Sequence, residues 1–306
     1  MRIVSLLASA TEIVCALGAG DRLVGRSHEC DNPEWVRNLP PCSEPAFDIA
    51  VSSRAIDAEV NRRIRAREPL YIIHADRIRD LRPDLVIAQE HCEVCAVTPA
   101  DVARANCDLG GARVLPLTAS TVDGIFESIH QVAAALDLEP AAREVVARER
   151  ARLAAVRTRV AGLRRPTVVM LEWADPIFAM ANWGPELVDI AGGDLLLGKP
   201  GQHSTAMDGA PVAAADPEFL IVAPCGFNLD RALAERPVLE AYPWWSGLRA
   251  VREGKVAFAD GNLFFNRSGM TVSQTAEIVA EILHGEPVGR PILAAAGLSR
   301  PAWRWL

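Results

Sequence analysis

Four of the seven cysteines in this 306-residue chain closely follow apolar runs. Cys30 ends the segment Ser27-His28-Glu29-Cys30, Cys92 and Cys95 form a Cys-x-x-Cys pair, and Cys225 follows Pro224. Four thiolates could hold zinc or an iron–sulfur cluster, so we expect Cys30, Cys92, Cys95 and Cys225 as candidate metal ligands. The pair alone also fits a metal half-site, a redox pair or chance.

The remaining cysteines carry no predicted chemistry. Cys15 lies in an apolar helical pattern, where a buried thiol behaves as a small hydrophobic residue. Cys42 and Cys107 fall in connecting segments and receive no role.

The side chains best suited to bind a small molecule occupy the same polar segments as the four candidate ligands. Five apolar runs are each followed by histidine, carboxylate, amide, arginine, cysteine or tryptophan side chains, and a further polar loop carries His203. Scattered surface polarity would not be sorted in this way, so we expect these segments to line one ligand site. The predicted ligand-binding residues are Arg26, His28, Glu29, Gln89, His91, Glu93, Glu172, Trp173, Asn182, Trp183, His203, Phe265, Asn266 and Arg267.

The aromatic and arginine members of this set each have two interpretations. The rings of Trp173, Trp183 and Phe265 could form flat walls for a ring system, or they could pack the protein interior. Arg26 and Arg267 could clamp a carboxylate or phosphate. They could equally form internal salt bridges, with Glu29, Glu172 or Asp260 as the expected partners.

Enzymatic chemistry has little support in the sequence, and we predict no catalytic residue. The chain has no Gly-x-Ser-x-Gly, His-Glu-x-x-His or Walker motif. The carboxylates of Glu29, Glu93 and Glu172 could form an acid–base set, but their spacing does not require one.

The elements that must position these residues alternate between strands and helices. Predicted strands cover 3–6, 23–25, 85–88, 113–117, 168–171, 220–222 and 256–259. Such alternation indicates parallel sheets, and ligands bind at the carboxyl ends of parallel strands. Ser9 with Glu12 predicts a capping box, and Ser120 with Asp123 predicts a second helix start.

One long helix divides the chain into two parts. The pattern from Glu139 to Leu163 has Pro140 in its first turn and no helix breaker before Gly162. We predict an α/β fold of two Rossmann-like lobes with parallel-rich sheets joined by this helix. The predicted boundaries are 1–138, 139–164 for the connecting helix, and 165–306 for a second lobe with an irregular tail.

Composition narrows the class and the location of the protein. Hydrophobic residues make up 50% and charged residues 23%, which is typical of a globular chain. A net charge of -7 argues against nucleic acid as a partner. No export signal and no apolar run long enough for a membrane span are visible. We therefore expect a cytoplasmic protein, or a periplasmic one if its start has been misassigned.

Several motifs resemble the periplasmic-binding domain for iron chelates and cobalamin. The N-terminal run Arg2–Glu12, then Ala16–Gly18 and Leu23–Gly25, is similar to the start of that family, and 82–87, 191–193 and 254–261 are similar to later landmarks. The resemblance covers about residues 2 to 285. It implies two small lobes joined by a long helix, with ligand held between them and little domain closure.

Two segments further resemble a branch without export signals that is labelled cobalamin-binding. These are 27–30 and 92–95. The resemblance implies a metal chelate as ligand, and within this branch a corrinoid such as cobalamin. An importer permease is not an expected partner, because an importer's binding protein is exported.

Three functions remain open from the sequence. The first is capture of a metal chelate, preferably corrinoid, between two preformed lobes. The second is a metal- or iron–sulfur-dependent enzyme, or a cofactor-handling protein, that uses the same cleft with a cysteine cluster. The third is an ordinary importer-binding protein with a misassigned start.

Overall fold

The computed structural model describes residues 1–90, 96–104, 111–285 and 301–306. Its strands form two main sheets and one small two-stranded antiparallel sheet. In chain order the strands are β1 Ile3–Ser5, β2 Leu23–Arg26, β3 Ser43–Pro45, β4 Tyr71–Ile73, β5 Leu85–Gln89, β6 Arg113–Leu117, β7 Thr167–Trp173, β8 Ile177–Ala179, β9 Asp194–Leu195, β10 Ala206–Met207, β11 Phe219–Val222, β12 Val256–Ala259 and β13 Trp303–Trp305.

Helices lie between these strands, as the alternating pattern predicts. They are α1 Ala8–Ala16, α2 Ser53–Ala66, α3 Ala75–Leu81, α4 Pro99–Arg104, α5 Val122–Leu136, α6 Glu139–Val160, α7 Gly184–Ile190, α8 Ala210–Ala215, α9 Leu229–Ala234, α10 Arg236–Glu240, α11 Arg249–Arg252 and α12 Val272–His284. Short 3-10 and π turns complete the connections.

The first lobe is built on a four-stranded parallel sheet in the order β2-β1-β5-β6. Its central strands are buried along their whole length, which explains why their sequences read as continuous apolar runs. The pairing of Ile3 with Leu85 and of Leu85 with Arg113 aligns the strands so that their carboxyl ends meet at one edge.

The second lobe holds a seven-stranded sheet in the order β10-β8-β7-β11-β12-β13, with β9 also paired to β7. Strand β11 is parallel to both β7 and β12, whereas β8, β10 and β13 join in antiparallel pairings. The two sheets confirm the predicted α/β class with parallel-rich sheets.

Helix α6 lies in sequence between the two sheets and packs against α5 of the first lobe and α12 of the second. Its 22 residues extend about 33 Å at the usual helical rise. Glu139 and Pro140 stand in its first turn, and Arg157 and Arg159 in its last, which complements the helix dipole. Buried side chains of α6 join one continuous apolar core with both lobes.

Both predicted helix starts are wrong in their capping residues. Helix α1 already begins at Ala8, so Ser9 lies inside its first turn, and the Glu12 carboxylate is bonded elsewhere. Helix α5 is capped by the Thr121 hydroxyl, which accepts from the Gly124 amide at 3.0 Å, rather than by Ser120. Neighbouring Ser and Thr residues offer the same cap chemistry, so the pattern alone could not choose between them.

The C-terminal residues are more regular than predicted. Trp303–Trp305 pairs antiparallel with Val256–Ala259 and forms the edge strand β13. Trp305 also lies 6.3 Å from the ring of Phe219. In the residues that the structure describes, we find no helix with the length and apolarity of a membrane span.

Candidate ligand-binding cleft

Two adjoining cavities lie between the lobes at the carboxyl ends of the strands. We call the larger, of about 310 Å³, the cleft. It is lined by His28, Glu29, Pro45, Phe47, Ile49, Ile56, Asp57, Val60, Asn61, Ile64, Leu70 and Tyr71 of the first lobe and by Glu172, Trp173, Phe178, His203, Ser204, Cys225, Gly226, Phe227 and Arg231 of the second. The smaller, of about 90 Å³, is the inner pocket, which shares Glu172, His203 and Cys225 with the cleft.

The first lobe supplies an apolar wall through helix α2. Ile56, Val60 and Ile64 follow each other at four-residue spacing, so they form one stripe on an otherwise charged helix, and that stripe faces the cleft. Ile64 and Ile49 remain 49% and 41% exposed. Apolar surface left open in a concave site is typical of a surface that a ligand covers.

The second lobe supplies an aromatic wall opposite. Trp173 ends strand β7, and its ring meets Phe227 edge-on with centroids 5.1 Å apart. The Arg231 guanidinium lies over the Phe227 ring at 3.7 Å. The indole Nε1 of Trp173 is buried and has no hydrogen-bond partner among the described residues.

His28 follows strand β2 and reaches the cleft as a neutral base. Its Nδ1 lies 3.1 Å from the Ser43 hydroxyl, and its ring lies 5.3 Å from that of Tyr71. Burial, with the Arg26 charge as a second cause, lowers the pKa of His28 to about 4. At neutral pH the imidazole is therefore uncharged, with Nε2 3.9 Å from a Glu29 carboxylate oxygen.

The pKa of Glu29 is shifted in the opposite direction, upward from its ordinary value. Burial raises the pKa of its carboxyl to about 7, although the nearby Arg267 charge acts in the other direction. About a third of the side chain is still exposed at the cleft wall. The group consequently changes charge within the physiological range.

Six of the side chains that line the inner pocket are amides or hydroxyls, and they lie among apolar residues. These are Ser9, Gln89, Ser128, Asn182, Asn266 and Ser268. The Asn266 amide donates to the carbonyls of Ala223 at 2.9 Å and Gly261 at 3.1 Å, which fixes the loop after β12 against the loop after β11. A Cβ at Gly261 would lie 2.1 Å from the Pro224 carbonyl oxygen, so this approach requires glycine.

The structure brings most of the predicted ligand residues to one site. His28, Glu29, Glu172, Trp173 and His203 line the cleft. Gln89, Asn182, Trp183 and Asn266 line the inner pocket. Whether each contacts a ligand stays a prediction. His91, Glu93, Cys92 and Cys95 lie outside the described residues.

Three residues that were predicted to bind the ligand have structural roles instead. Phe265 is fully buried in the core and does not line either cavity; only its carbonyl is used, as acceptor from Trp183 Nε1 at 3.2 Å. Arg26 donates to the carbonyls of Ser27 and Arg37, which holds the backbone of its own lobe.

Arg267 is the third, and it joins the two lobes. Its guanidinium, only 5% exposed, donates to Glu12 at 2.7 Å and to Asp31 at 2.5 Å. The salt-bridge interpretation of Arg267 therefore holds, but with partners other than those expected. Asn262 adds a bond to Asp31 at 3.0 Å across the same interface.

The predicted four-cysteine metal cluster finds no support in the structure. Cys30 is buried inside the first lobe, where its sulfur accepts from the Thr11 hydroxyl at 3.0 Å and lies 3.2 Å from Ser27 Oγ. Cys225 instead lines the cleft and the inner pocket. Across the described ranges, no group of three or more His, Cys, Asp or Glu side chains could hold a metal ion.

A second bridge between the lobes closes one side of the cleft at the start of helix α2. Ser53 donates to the buried Glu235 carboxylate, and Arg54 pairs with Asp175 at 2.6 Å. Arg231 donates to the carbonyls of Ile49 and Val51. We call these contacts the α2 latch, because they fasten one wall of the cleft to the opposite lobe.

Sequence reasoning missed the apolar half of the site. Phe47, Tyr71, Phe178 and Phe227 all line the cleft, as does the stripe of helix α2. The stripe was a detectable signal, because three branched apolar residues at helical spacing stand among arginines and carboxylates in 53–66.

A wider groove of about 510 Å³ lies on another face, between α5, α6 and α7. Its charges are used within the protein: Arg150 pairs with Asp123 at 2.8 Å and Arg157 with Asp189 at 3.1 Å. The groove therefore offers less binding chemistry than the cleft despite its size.

Comparison with known proteins agrees with this architecture. Residues 3–263 match the model of the periplasmic binding protein family, and the chain belongs to that family. It is 25% identical over 236 residues to the vitamin B12-binding protein of Vibrio campbellii, covering 76% of this chain and 74% of that one.

Solved structures show the same fold at lower identity. A periplasmic heme-binding protein from Pseudomonas aeruginosa superimposes with a TM-score of 0.71 at 20% identity, covering 99% of this chain and 97% of that one. The periplasmic vitamin B12-binding protein BtuF of Vibrio cholerae gives 0.65 at 21% identity, with coverages of 92% and 96%.

Proposed function

We propose that this protein binds a metal chelate, preferably a corrinoid such as cobalamin, in the cleft between its lobes. The observation that carries the proposal is the pair of facing apolar walls, the α2 stripe on one side and Trp173 with Phe227 on the other. Such walls suit the two faces of a flat macrocycle, because burial of its apolar surface supplies the binding energy. Relatives named for vitamin B12 and for heme share the fold.

The polar groups of the site suit recognition rather than bond making. His28, Glu29 and His203 stand at the rim of the apolar walls, and the amides of the inner pocket lie beyond them. A neutral His28 imidazole could donate or accept a hydrogen bond, or approach the metal of a chelate. Capture requires no covalent step, so the proposed mechanism is burial of the ring between preformed walls.

The test is a calorimetric titration of anaerobically purified protein with cobalamin, after its absorption spectrum and metal content have been recorded. We expect saturable binding at one molecule per chain by protein that carries no metal of its own. Intrinsic metal without cobalamin binding, lost on replacing Cys92 and Cys95 by serine, would instead establish a cysteine metal site and overturn the proposal.

A further inference from the structure

The loop of residues 27–32 carries two residues of the ligand site beside a residue of the interlobe contact. We call it the β2 loop, because it follows strand β2. His28 and Glu29 line the cleft, whereas Asp31 lines neither of the two cavities. The Asp31 carboxylate instead accepts hydrogen bonds from the second lobe. A displacement of Asp31 would therefore move the two cleft residues that precede it in the loop.

Two side chains of the second lobe hold Asp31. Arg267 donates to its Oδ1 at 2.5 Å, and the side-chain amide of Asn262 donates to its Oδ2 at 3.0 Å. Arg267 also donates to the backbone carbonyl of Glu29 at 3.5 Å. Within the first lobe, Arg37 lies 3.6 Å from the same carboxylate, but its side chain is 60% exposed. The closest contacts of Asp31 thus come from the opposite lobe.

Asn262 links the β2 loop to the aromatic wall as well. Its backbone N–H donates to the carbonyl of Phe227 at 3.0 Å, and Phe227 packs against Trp173 in that wall. Arg267 donates to the side-chain oxygen of Asn262 at 3.2 Å, which leaves the N–H groups of this amide to face Asp31. Asn262 thereby connects the aromatic wall of the second lobe with the β2 loop of the first.

We propose that Asp31 and Asn262 are positioning residues for ligand binding, whose bond holds His28 and Glu29 at the distance from the aromatic wall that the ligand requires. The inference rests on the proposed function, because it concerns the ligand of the same cleft. Neither Asp31 nor Asn262 lines a cavity, so both act through residues that do.

The first test is a calorimetric titration of variants with cobalamin. We expect Kd to rise about tenfold in Asp31→Ala, which loses two hydrogen bonds, and about threefold in Asn262→Ala, which loses one. Asp31→Asn keeps an oxygen that accepts from Arg267, so it should recover most of the affinity. Asp194→Ala is the matched control, since it loses a pair with Arg165 at 2.8 Å and lines neither cavity. Its Kd should equal that of the wild type.

Two further measurements separate positioning from general destabilisation. In NMR titrations of the ligand-free wild type, the imidazole of His28, with a pKa of about 4, should stay neutral at mildly acidic pH. A displaced loop admits water, so in Asp31→Ala and Asn262→Ala the pKa of His28 should rise toward about 6.5. In a His28→Ala/Glu29→Ala background, either variant should raise Kd by less than about twofold, because the residues that it positions are gone.

The outcomes separate the two proposals. An unchanged Kd in Asp31→Ala and Asn262→Ala would overturn the positioning role and leave the proposed function in place. It would mean that contacts within the first lobe, such as that of Cys30 with Thr11, hold the loop by themselves. A His28 pKa that stays near 4, or an undiminished loss of affinity without His28 and Glu29, would overturn the role too. If Asp31→Ala does not fold, Asn262→Ala decides alone. Absence of cobalamin binding by the wild type overturns the proposed function and the positioning role together.

Discussion

At the scale of single residues, Trp173 combines a packed ring with a buried polar group. Its ring is held by Phe227, and its indole N–H is buried with no acceptor among the described residues. Buried donors are nearly always bonded, so we expect this N–H to find its acceptor in a ligand or an ordered water molecule.

Truncating this side chain should therefore weaken cobalamin binding. We expect Trp173→Ala to raise Kd about 100-fold through lost apolar contact. Trp173→Phe keeps a ring and loses only the N–H donor, so its Kd should rise by about tenfold at most. Calorimetry provides both values, and Trp35→Phe, outside the cleft, is the control that should not change Kd. Equal losses in Trp173→Ala and Trp173→Phe would contradict a role of the ring as a wall.

His28 should make stability depend on pH. Its pKa of about 4 lies below the value of about 6.5 for a free histidine, so the unfolded chain binds more protons at this position between those values. Stability from this group is complete above pH 6.5 and is lost as the pH falls toward 4. Relative to His28→Asn, the wild type should lose up to about 3 kcal/mol between pH 7 and pH 4.

Urea unfolding of the two proteins at several pH values checks this dependence. Asparagine can keep a hydrogen bond to Ser43 but does not titrate, so the difference between the proteins isolates the imidazole. Glu29, whose carboxyl pKa is raised to about 7, titrates in both proteins. A difference that stays constant with pH would show that His28 is not buried as described.

Which polar residues gather at the cleft was largely predictable, because the carboxyl ends of parallel strands meet at one edge. The direction in which each side chain points from the end of its strand was not predictable. Phe265 and Trp173 both follow predicted strands, yet Phe265 is fully buried in the core and Trp173 lines the cleft. That choice depends on tertiary packing, which the local sequence does not record.

At the scale of elements, helix α2 forms one wall of the cleft and fastens that wall to the opposite lobe. The same helix provides the apolar stripe and, through Ser53 and Arg54, two of the contacts of the α2 latch. A ligand between the walls can leave only if these contacts yield or if it passes beside them. The latch should therefore govern the rate of ligand release more than the architecture of the lobes.

Removing the latch should accelerate dissociation. For Ser53→Ala/Arg54→Ala we expect the cobalamin dissociation rate to rise about tenfold in stopped-flow displacement, because a hydrogen bond to a buried carboxylate and an ion pair are lost together. Arg65→Ala on the exposed part of the same helix is the control. An unchanged rate in the latch variant would mean that the ligand leaves by another route.

Helix and strand positions were predicted more accurately than their ends. The strands 113–117 and 256–259 match the structure residue for residue. The second is a fully buried run bounded by polar residues, which is a distinctive pattern. Helix α2 itself went unnoticed as a site element, since its many charged residues suggest a solvated face.

At the scale of the whole molecule, the lobes are held in register by the Arg267 network. Burial raises the pKa of Glu12, and the guanidinium of Arg267 opposes that rise. The two residues are 255 positions apart and bond at 2.7 Å inside the protein. Long-range ionic pairing of this kind has no local signature, so the sequence could suggest a salt bridge but not its partners.

Removing one member of the Arg267 network should destabilise the folded protein. Arg267→Met leaves Glu12 buried without its cation, and we expect the free energy of unfolding to fall by about 3–5 kcal/mol. Arg267→Met/Glu12→Gln removes the stranded charge and should recover part of that loss. Urea denaturation compares them with Arg236→Met, whose exposed pair with Glu240 should contribute about 0.5 kcal/mol or less. A loss as small as that of Arg236→Met would contradict a buried interlobe pair.

Binding of a corrinoid in the cleft is tested by the position of the metal in crystals grown with cyanocobalamin, located by anomalous scattering at the cobalt absorption edge. We expect one strong cobalt peak per chain in the cleft, between the stripe of helix α2 and Trp173. A peak in the groove between α5, α6 and α7, or elsewhere on the surface with the cleft empty, would contradict it.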